Sequence, residues 1–338
     1  MPQRAPAPDL IAIALDRGGL HLPEVDLWLD PPFATAQAFV SHAHSDHVAR
    51  HETAICTGLT REIMLARGSA GKRTKFRTIS TGEKLELDGF ELRLLPAGHI
   101  LGSAMLHLTR LRDGATLLYT GDYKLRRGIT GEAAELRPAD TLIMETTFGL
   151  PRYQFPPFEE IAGSIVRFAS ESIATGQIPL LLGYSLGKAQ EILAAMRRAR
   201  HPIMLHSSIV EMTELLAPHL GELPPYSKLD TARAEGHVVI LPPNSAQIEA
   251  LRKGGNCRTA MVSGWGLDKG AKYRYRVDEV FPLSDHADYP ELIQTVETVK
   301  PRLVYTVHGY TCEFAADLRL RGYDARALGR EEQLDLRL

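Results

Sequence analysis

The sequence predicts an α/β protein made of two layered units, and three observations support this fold class. The chain has 338 residues and is 44% hydrophobic, which is enough for a large core and, at roughly 100 to 200 residues per domain, for two domains. Short apolar runs recur along the chain, and several end abruptly at a polar residue. In the middle of the chain such runs alternate with segments of helical periodicity, as in a βαβ arrangement.

The apolar runs near the two ends of the chain predict buried strands. They are residues 38–40, 91–95, 116–119, 141–144 and 303–307. The polar residues at or just after their ends are His42, His99, Asp122, Glu145 and His308. Because ligands in layered α/β folds bind just outside the ends of strands, we expect these scattered residues to meet at one site.

The middle of the chain predicts a second α/β unit. Helical periodicity at residues 158–174, 187–200 and 209–220 alternates there with strands predicted at 178–182, 203–205, 238–241 and 260–262. Two more helices, at 289–299 and 313–320, and a strand at 325–328 are predicted after this unit. A stretch rich in Pro and Gly at 149–157 and a Gly-rich stretch at 263–270 bracket the unit. We therefore expect an inserted domain at 151–262 and a discontinuous domain formed by 1–150 and 263–338.

Composition narrows the class of protein. Lys plus Arg (39) nearly balances Asp plus Glu (41), so a nucleic-acid surface would have to be a local patch. Cys56, Cys257 and Cys312 are far apart, which argues against a disulfide framework and a thiolate zinc site. Neither a signal peptide nor an apolar run of membrane-spanning length is visible, so we expect a cytoplasmic protein.

Residues 42–47, with the sequence HAHSDH, place three imidazoles and a carboxylate directly after a predicted strand. Neutral imidazole and carboxylate are preferred ligands of zinc and similar ions. His42 and His44, on alternate positions of an extended loop, can face one ion. Asp46 and His47, expected at the start of a helix, can face a second. A His-rich polar turn without a cation is the alternative, but burying these groups unpaired would be costly.

This run, with His99 in AGH and Asp122 in TGD after it, resembles the metallo-β-lactamase superfamily. The resemblance implies an αββα sandwich holding two divalent metal ions, zinc or manganese. The implied ligands are His42, His44 and His99 for the first ion, Asp46 and His47 for the second, and Asp122 for both. Asp30 matches a supporting aspartate that braces the motif loop, and a simple turn former before Pro31 is the alternative.

Three further features resemble the β-CASP nuclease group of this superfamily: Glu145 in ETTF, His286 in SDHAD and His308 in VHG. The resemblance implies that the inserted domain is a β-CASP domain and that His308 completes the second ion's ligands. It also implies that His286 is a general acid oriented by Glu145. A carboxylate partner keeps an imidazole charged near neutral pH, as proton donation requires. A surface histidine and a helix-capping glutamate are the alternatives.

Residues 183–191, GYSLGKAQE, resemble the strand-to-helix segment that lies near the substrate backbone in this group. Ser185 and Lys188 would contact a phosphate there, and a glycine-containing helix start is the equal alternative. Basic clusters at 124–127 and 272–276 offer further candidate phosphate contacts, and the second interleaves aromatic and cationic residues.

Over nearly its whole length the chain is similar to a compact bacterial branch regarded as DNA exonucleases associated with a DNA ligase. The resemblance lies in WLDP at 28–31, SGW at 263–265, SDHAD at 284–288 and VHGY at 307–310. It implies a metal-dependent, end-processing exonuclease in DNA repair, with DNA as its partner and a DNA ligase as a functional associate.

Three other functions remain as alternatives. His308 followed by Gly309 resembles the RNA-processing branch, although Tyr310 stands where Glu is usual there, so a β-CASP ribonuclease is the first alternative. A small-molecule hydrolase of the parent superfamily would leave Glu145, His286 and the inserted domain without a role. A non-catalytic nucleic-acid-binding protein would be expected to lack metal ligands.

Overall fold

The computed structural model describes residues 8–128 and 132–328. By its internal contacts the chain divides into two units. Unit 1 is discontinuous and comprises Met1–Arg127, Glu132–Tyr153 and His286–Leu338. Unit 2 comprises Gly128–Gly131 and Gln154–Asp285.

Unit 1 begins with a six-stranded sheet whose strands follow the order of the chain. Its strands are β1 (Ala14–Asp16), β2 (Gly19–Leu22), β3 (Leu27–Leu29), β4 (Gln37–Phe39), β5 (Thr53–Cys56) and β6 (Lys75–Thr78). The first three strands are antiparallel and the last four are parallel. Helix α1 (Gly58–Ala66) connects β5 to β6 and buries Ile63 and Met64.

A second sheet of unit 1 supplies most of the candidate site. Its first strands are β7 (Lys84–Leu87), β8 (Phe90–Pro96), β9 (Ala104–Arg110), β10 (Thr116–Tyr119) and β11 (Thr141–Thr146). Side chains of both sheets share one hydrophobic core, to which Leu29 and Phe39 contribute from the first sheet and Leu94 and Leu117 from the second. The two sheets therefore pack face to face.

Unit 2 contains a parallel sheet with both faces covered. Its strands are β12 (Ile178–Leu182), β13 (Ile203–Leu205), β14 (Tyr226–Lys228), β15 (Val238–Leu241), β16 (Cys257–Val262) and β17 (Glu279–Phe281), in the order β14-β13-β15-β12-β16-β17. The helices are α2 (Phe158–Ala174), α3 (Lys188–Ala195), α4 (Ser207–Leu216), α5 (Gln247–Gly254) and α6 (Ala271–Tyr275), with 3₁₀ turns at Met196–Arg198, Ala217–His219, Thr231–Arg233 and Gly264–Leu267. Helices α2, α3 and α4 pack on one face of the sheet and α5 on the other. This double coverage explains why the central strands are continuous apolar runs.

The chain then returns to unit 1 with α7 (Tyr289–Val299), β18 (Leu303–Gly309), α8 (Thr311–Leu320) and β19 (Ala325–Ala327). The two strands complete the second sheet in the order β19-β18-β11-β10-β9-β8-β7. Apolar side chains of α7 and α8 cover the face of this sheet that points away from the first sheet. Unit 1 is thus an αββα sandwich, and the α/β fold class predicted from the sequence is confirmed.

Several local expectations changed. The prediction of a helix beginning at Asp46 and His47 was wrong. These residues lie in a turn in which the His47 N–H donates to the His44 carbonyl at 3.2 Å, and the chain then extends into β5. Helices α1, α5 and α6 were not predicted, because they have only 9, 8 and 5 residues and so show too few turns for a clear helical period. The sequence placed the second seam at residues 263–270, whereas the contacts divide at Asp285 because β17 pairs with β16. No helix in the described ranges has the length and apolarity to span a membrane.

Candidate metal centre

Three imidazoles of unit 1 converge on one point. Nε2 of His42 lies 3.1 Å from Nδ1 of His44, and Nε2 of His99 lies 3.1 Å from the same Nδ1 atom. The rings stand edge to face. His42 and His44 follow β4, whereas His99 follows β8 on the other sheet. Folding therefore assembles one donor set from two distant parts of the sequence.

Asp122, in the loop after β10, completes this donor set. Its Oδ2 atom lies 3.6 Å from Nε2 of His42 and 3.9 Å from Nε2 of His99. A zinc ion at the usual Zn–N distance would space tetrahedral ligand atoms about 3.4 Å apart. One ligand atom from each of His42, His44, His99 and Asp122 lies within 4.8 Å of the others, so the set suits a bound metal ion.

A second, more exposed set of side chains surrounds the same carboxylate. Nε2 of His47 lies 3.3 Å from Oδ2 of Asp122 and 3.7 Å from Oδ2 of Asp46. The ring of His308, at the end of β18, lies 5.7 Å from the ring of His47 between centroids. His47 is buried, whereas Asp46 and His308 are exposed. The residues singled out in the sequence for a second ion are therefore neighbours in the fold.

His308 is presented by an irregular strand end. His308 and Gly309 have φ angles of 57° and 72°, both in the left-handed region. The pairing of β11 with β18 shifts register between Glu145 and Thr146, and the Thr146 hydroxyl donates to the His308 carbonyl at 2.7 Å. A non-glycine residue in this region persists only where its surroundings hold it. The close approach of the two strands supplies that restraint.

Replacing Gly309 by alanine should test this strand end. A Cβ atom there would meet the Thr147 Cα and the Thr146 carbonyl, in addition to the strain of a positive φ. We expect a loss of about 3 kcal/mol in the free energy of unfolding. Gly322→Ala is the control, since its φ is 91° and its Cβ would meet nothing within 4 Å, so only about 1 kcal/mol should be lost. Equal losses in denaturant titrations would contradict the close approach.

A buried carboxylate, Asp30, connects ligands of both sets. Its Oδ1 accepts the Ser41 N–H at 2.7 Å, and its Oδ2 accepts the hydroxyls of Ser41 and Tyr119 at 2.5 and 2.9 Å. Nδ1 of His47 lies 3.0 Å from the same Oδ2. The Ser41 Oγ also lies 3.0 Å from Nδ1 of His42.

These contacts determine which ring nitrogen carries a proton in His42 and in His47. A carboxylate only accepts hydrogen bonds, so Nδ1 of His47 donates to Asp30. The hydroxyl hydrogen of Ser41 is used by Asp30, so the Ser41 oxygen accepts a hydrogen bond from Nδ1 of His42. In the neutral rings Nε2 is then a lone-pair donor, as a metal ligand must be.

Burial and charge push the pKa values of two of these histidines in opposite directions. Burial, followed by the charge of His47, lowers the pKa of His42 well below its ordinary value. Burial also acts to lower the pKa of His47, but Asp122 and Asp30 outweigh it and raise that pKa well above the ordinary value. Burial acts to raise the pKa of Asp122, yet the charge of His47 holds it well below the usual range. The metal-free centre therefore contains a His47–Asp122 ion pair.

The raised pKa of His47 predicts how the stability of the metal-free protein depends on pH. Its contribution is fully present below the unfolded pKa of about 6.5 and is lost as the pH rises through the folded-state pKa. We expect the urea midpoint of the metal-free wild type to fall between about pH 6.5 and the raised pKa. The decline should be smaller in Asp122→Asn, which lacks the main charge that raises this pKa. An equal decline in both proteins would contradict the ion pair.

Glu145 and His286, which the sequence singled out for proton transfer, are in contact. Oε2 of Glu145 lies 2.9 Å from Nδ1 of His286. Glu145 is 1% exposed and also accepts the Tyr123 N–H at 2.7 Å and the Thr147 hydroxyl at 2.5 Å. Nδ1 of His286 lies 4.0 Å from Oδ2 of Asp122. Because Nδ1 of His286 faces the carboxylate, Nε2 is the nitrogen that can exchange a proton with a reacting group.

Arg126 holds the loop that carries His286. Its Nη1 lies 2.6 Å from Oδ2 of Asp288 and 2.7 Å from Oε2 of Glu291, and its Nη2 donates to the His286 carbonyl at 3.2 Å. Asp288 and Glu291 also cap the start of α7 reciprocally. The sequence suggested a phosphate contact for the 124–127 cluster, but Arg126 is engaged with this loop and Lys124 is buried.

The substrate-binding residues predicted in unit 2 have different environments. Lys188 is 3% exposed, and its Nζ lies 2.9 Å from Oε2 of Glu191 and 3.3 Å from Oδ1 of Asp285. Its charge is thus balanced by two carboxylates inside unit 2, whereas the sequence suggested that it would contact a phosphate. The half-buried Ser185 hydroxyl lies 2.8 Å from that of Ser208 at the start of α4. The 272–276 cluster is on the surface, with Tyr273 89% exposed.

Two participants were not identified from the sequence. Ser41 directly precedes the HAHSDH run, and this adjacency was the only available signal for it. Tyr119 ends an apolar strand and carries no motif, so its contact with Asp30, 89 positions earlier, depends on the packing of the two sheets.

A family model described as the Zn-dependent metallo-hydrolase RNA specificity domain matches residues 271–327. This segment includes His286 and His308, together with α6, α7, α8 and β18. The match therefore covers the part of the chain that supplies two residues of the candidate centre.

Relatives extend the similarity over most of the chain. It is 45% identical over 318 residues to a protein of Opitutus terrae named probable DNA ligase, which covers 94% of this chain and 31% of that protein. It is 25% identical over 300 residues to the DNA cross-link repair protein SNM1 of Arabidopsis thaliana, covering 80% and 60%. It is 27% identical over 146 residues to RNase aCSPSF2 of Saccharolobus solfataricus, covering 42% and 29%. The chain thus spans less than two thirds of the length of each relative.

Three findings support a metallo-hydrolase: the sandwich fold, the clustered imidazoles and carboxylates, and the matched specificity domain. The relatives include proteins named for DNA repair and for RNA cleavage. The chain is therefore homologous to nucleases of the β-CASP group of the metallo-β-lactamase superfamily.

Proposed function

We propose that the chain is a metal-dependent phosphodiesterase that acts on DNA as an end-processing exonuclease in DNA repair. The observation that carries the proposal is the convergence of His42, His44, His99 and Asp122 within 4.8 Å. DNA is favoured by the 45% identity to a protein named probable DNA ligase and by the likeness to one named for DNA cross-link repair. The first relative also supports action alongside a DNA ligase.

Two divalent ions, zinc or manganese, fit the donor atoms, since nitrogen and oxygen ligands suit both metals. His42, His44 and His99 would hold one ion, Asp46, His47 and His308 the other, and Asp122 both. The central position of Asp122 supports the last assignment, because its Oδ2 lies 3.3 Å from His47 and 3.6 Å from His42. When bound, such ions activate water and neutralise charge on a phosphate. The inserted unit 2 would be the β-CASP domain.

The side chains of the protein then account for the proton that the leaving group needs. Hydrolysis joins a water oxygen to phosphorus and breaks the bond between phosphorus and the leaving 3′ oxygen, which must gain a proton. His286 would donate that proton from Nε2. Glu145, buried and in contact with Nδ1, would hold the ring in place and favour its charged form. Arg126 would keep the His286 backbone in position through its 3.2 Å hydrogen bond.

The test is digestion of matched single-stranded DNA and RNA oligonucleotides that carry a label at either end. Wild type and Asp46→Ala would be compared in added zinc and in added manganese. Stepwise shortening of DNA that is abolished in Asp46→Ala is the expected result, and the labelled end gives the direction of cleavage. No cleavage of DNA or RNA by a metal-loaded protein would overturn the proposal.

Ribonuclease activity is the second candidate function. The match to an RNA specificity domain at residues 271–327 favours it, as does the likeness to RNase aCSPSF2. The same oligonucleotide experiment decides between the two, because RNA cleavage at a rate equal to or above that of DNA would favour the ribonuclease.

Replacing Ser41 by alanine should weaken metal binding without removing a ligand. The substitution leaves Nδ1 of His42 without its acceptor and takes one donor from Asp30. Partners of this kind typically change metal affinity by about 10- to 100-fold, and we expect a loss in that range. Competition with a chromogenic chelator measures it independently of activity.

Ser172→Ala is the matched control. Ser172 is also fully buried, and its hydroxyl donates within α2 to the Phe168 carbonyl at 2.7 Å. Its removal should leave metal affinity unchanged. If both variants bind metal as the wild type does, the Ser41 hydroxyl does not orient His42.

A further inference from the structure

Unit 2 contains a polar pocket that is not part of the candidate metal centre. Its volume is about 500 Å³, and the side chains that line it include Arg252, Asn256, Cys257 and Arg276. Arg252 lies in α5, Asn256 and Cys257 lie at the start of β16, and Arg276 directly follows α6. Sites for small molecules typically measure roughly 300 to 1,000 Å³, so the volume suits a ligand. We call this feature the Arg252–Arg276 pocket.

The pocket lies at the amino ends of strands in the sheet of unit 2. Cys257 begins β16, which pairs in parallel with β12 and with β17. Ser185, one of the phosphate contacts predicted from the sequence, follows the carboxyl end of β12. The Arg252–Arg276 pocket is therefore at the opposite edge of this sheet from Ser185, and it is a separate feature of unit 2.

Two guanidinium groups bring positive charge to the pocket. Nη2 of Arg252 donates to the Arg276 carbonyl at 3.4 Å. With this exception, neither guanidinium makes a hydrogen bond or an ion pair with residues 8–128 or 132–328. Both arginines are exposed, so their remaining N–H groups face water or a ligand. The planar fork of a guanidinium matches two oxygens of a phosphate, which makes arginine well suited to bind this group.

The acidic groups of the pocket do not neutralise both arginines. Burial raises the pKa of the Cys257 thiol while the charge of Arg252 acts to lower it, so the thiol is uncharged near pH 7. Oδ2 of Asp278 accepts the Thr259 N–H at 2.7 Å and the Thr259 hydroxyl at 2.9 Å. This carboxylate is thus held at β16, and its single charge stands against two arginines. The pocket therefore has a net positive charge.

Arg276 has a backbone conformation that usually belongs to glycine. It ends α6 with φ 54° and ψ 50°, in the left-handed region. Glycine is the common residue at such a helix end because a Cβ atom is strained there. A strained residue of another type points to a role for its side chain. The helix dipole favours a cation at this position, but it does not require two arginines to line the same pocket.

We propose that the Arg252–Arg276 pocket binds a phosphate group, carried by a nucleotide or by a nucleic-acid strand. Arg252 and Arg276 are the cationic contacts. Asn256 adds a neutral donor, because its Oδ1 accepts the Gln177 amide at 3.3 Å and its own amide N–H groups are left for a ligand. The proposal goes beyond nuclease activity and does not depend on it, since it concerns binding alone.

The thiol in the pocket provides a local test. Metal-free wild type is alkylated with iodoacetamide, a neutral reagent, and the rate at each cysteine is followed by peptide mass spectrometry. Inorganic phosphate, deoxyadenosine monophosphate and a single-stranded DNA oligonucleotide are the probes, with sodium chloride at equal ionic strength as the reference. Alkylation of Cys257 should be slower with a phosphate-bearing probe. Cys312, which is also half-buried but lies in unit 1, should react at an unchanged rate.

The probes distinguish the two sources of phosphate. Protection by inorganic phosphate and the mononucleotide would identify a site for a free or terminal phosphate, whereas protection by the oligonucleotide alone would identify a backbone contact. Protection by none of the three, or equal protection by sodium chloride, would overturn the proposal.

Variants then test the two arginines. Arg252→Gln and Arg276→Gln should each raise the probe concentration for half-protection by about tenfold, as expected for loss of one charge-assisted contact. Arg198→Gln is the matched control, since Arg198 is an arginine of unit 2 whose side chain is 87% exposed and lies 3.7 Å from Glu159. Its half-protection concentration should equal that of the wild type.

A further variant separates binding from folding. Arg276→Gly removes the cation and also relieves the strain of the left-handed conformation, so its urea midpoint should not fall below that of the wild type. Its protection of Cys257 should nevertheless weaken as in Arg276→Gln. If the arginine variants protect Cys257 as well as Arg198→Gln does, the arginines serve only the helix ends. The phosphate site is then rejected, while the proposed nuclease is unaffected.

Discussion

Replacing Asp122 by asparagine is expected to remove metal from the centre and to lower the rate of DNA cleavage by at least about 10³-fold, because metal ions supply several kcal/mol of transition-state stabilisation. Oδ2 of Asp122 lies within 4.0 Å of nitrogens of His42, His47, His99 and His286, so its charge acts on both donor sets and on the proposed general acid. Asparagine keeps the shape of the side chain and removes that charge. Elemental analysis of the purified protein and single-turnover cleavage are the measurements.

Asp16→Asn is the control for this substitution, since Asp16 lies at the surface on β1 with a side chain that is 58% exposed. It should retain both metal and activity. An Asp122→Asn protein that keeps its full metal content and rate would show that the carboxylate is not shared between two ions.

Replacing His286 by glutamine is expected to lower the cleavage rate by about 10²- to 10⁴-fold while leaving the metal content unchanged. His286 is proposed to donate a proton and is not one of the proposed metal ligands. Its contact with Glu145 at 2.9 Å fixes the ring, so glutamine removes the acid and leaves the carboxylate in place. A rate loss with retained metal separates this role from that of Asp122.

The nature of the leaving group sharpens this prediction. A nucleotide ester of 4-nitrophenol departs without needing a proton, so general-acid catalysis adds little to its hydrolysis. His286→Gln should therefore cleave the nitrophenyl ester nearly as well as the wild type does. Asp122→Asn should lose activity on both the nitrophenyl ester and DNA. If His286→Gln lowers the cleavage rates of DNA and of the nitrophenyl ester equally, His286 does not protonate the leaving oxygen.

The candidate metal ligands were accessible from the sequence because several of them are dense and regularly spaced. The HAHSDH run at residues 42–47 places three imidazoles and a carboxylate within six residues, and each later candidate lies at or after the end of a strand. Strands β8, β10 and β18 belong to one sheet, and His99, Asp122 and His308 lie at or just beyond their ends. The rule that sites form at strand ends was therefore sufficient to group these residues.

The environment of a charged side chain was not accessible in the same way. Lys188 stands in a glycine-containing segment typical of phosphate contacts, yet two carboxylates surround it inside unit 2, and one of them, Asp285, is 97 positions away. Arg126 belongs to a basic cluster but clamps the loop of His286. A basic run has the same appearance in sequence whether its charges face water or a distant carboxylate.

By itself, the sequence determined the fold class, the family resemblance and the candidate ligands, because these depend on hydrophobic periodicity and local spacing, which the chain carries directly. Only the tertiary structure decided how these residues are arranged: that Asp122 stands among four histidines, and that Asp30 contacts both donor sets, the first through Ser41 and the second through His47. Such contacts join residues up to 164 positions apart, as for Asp122 and His286. They follow from the packing of two sheets and the pairing of β18 with β11, which no local pattern specifies.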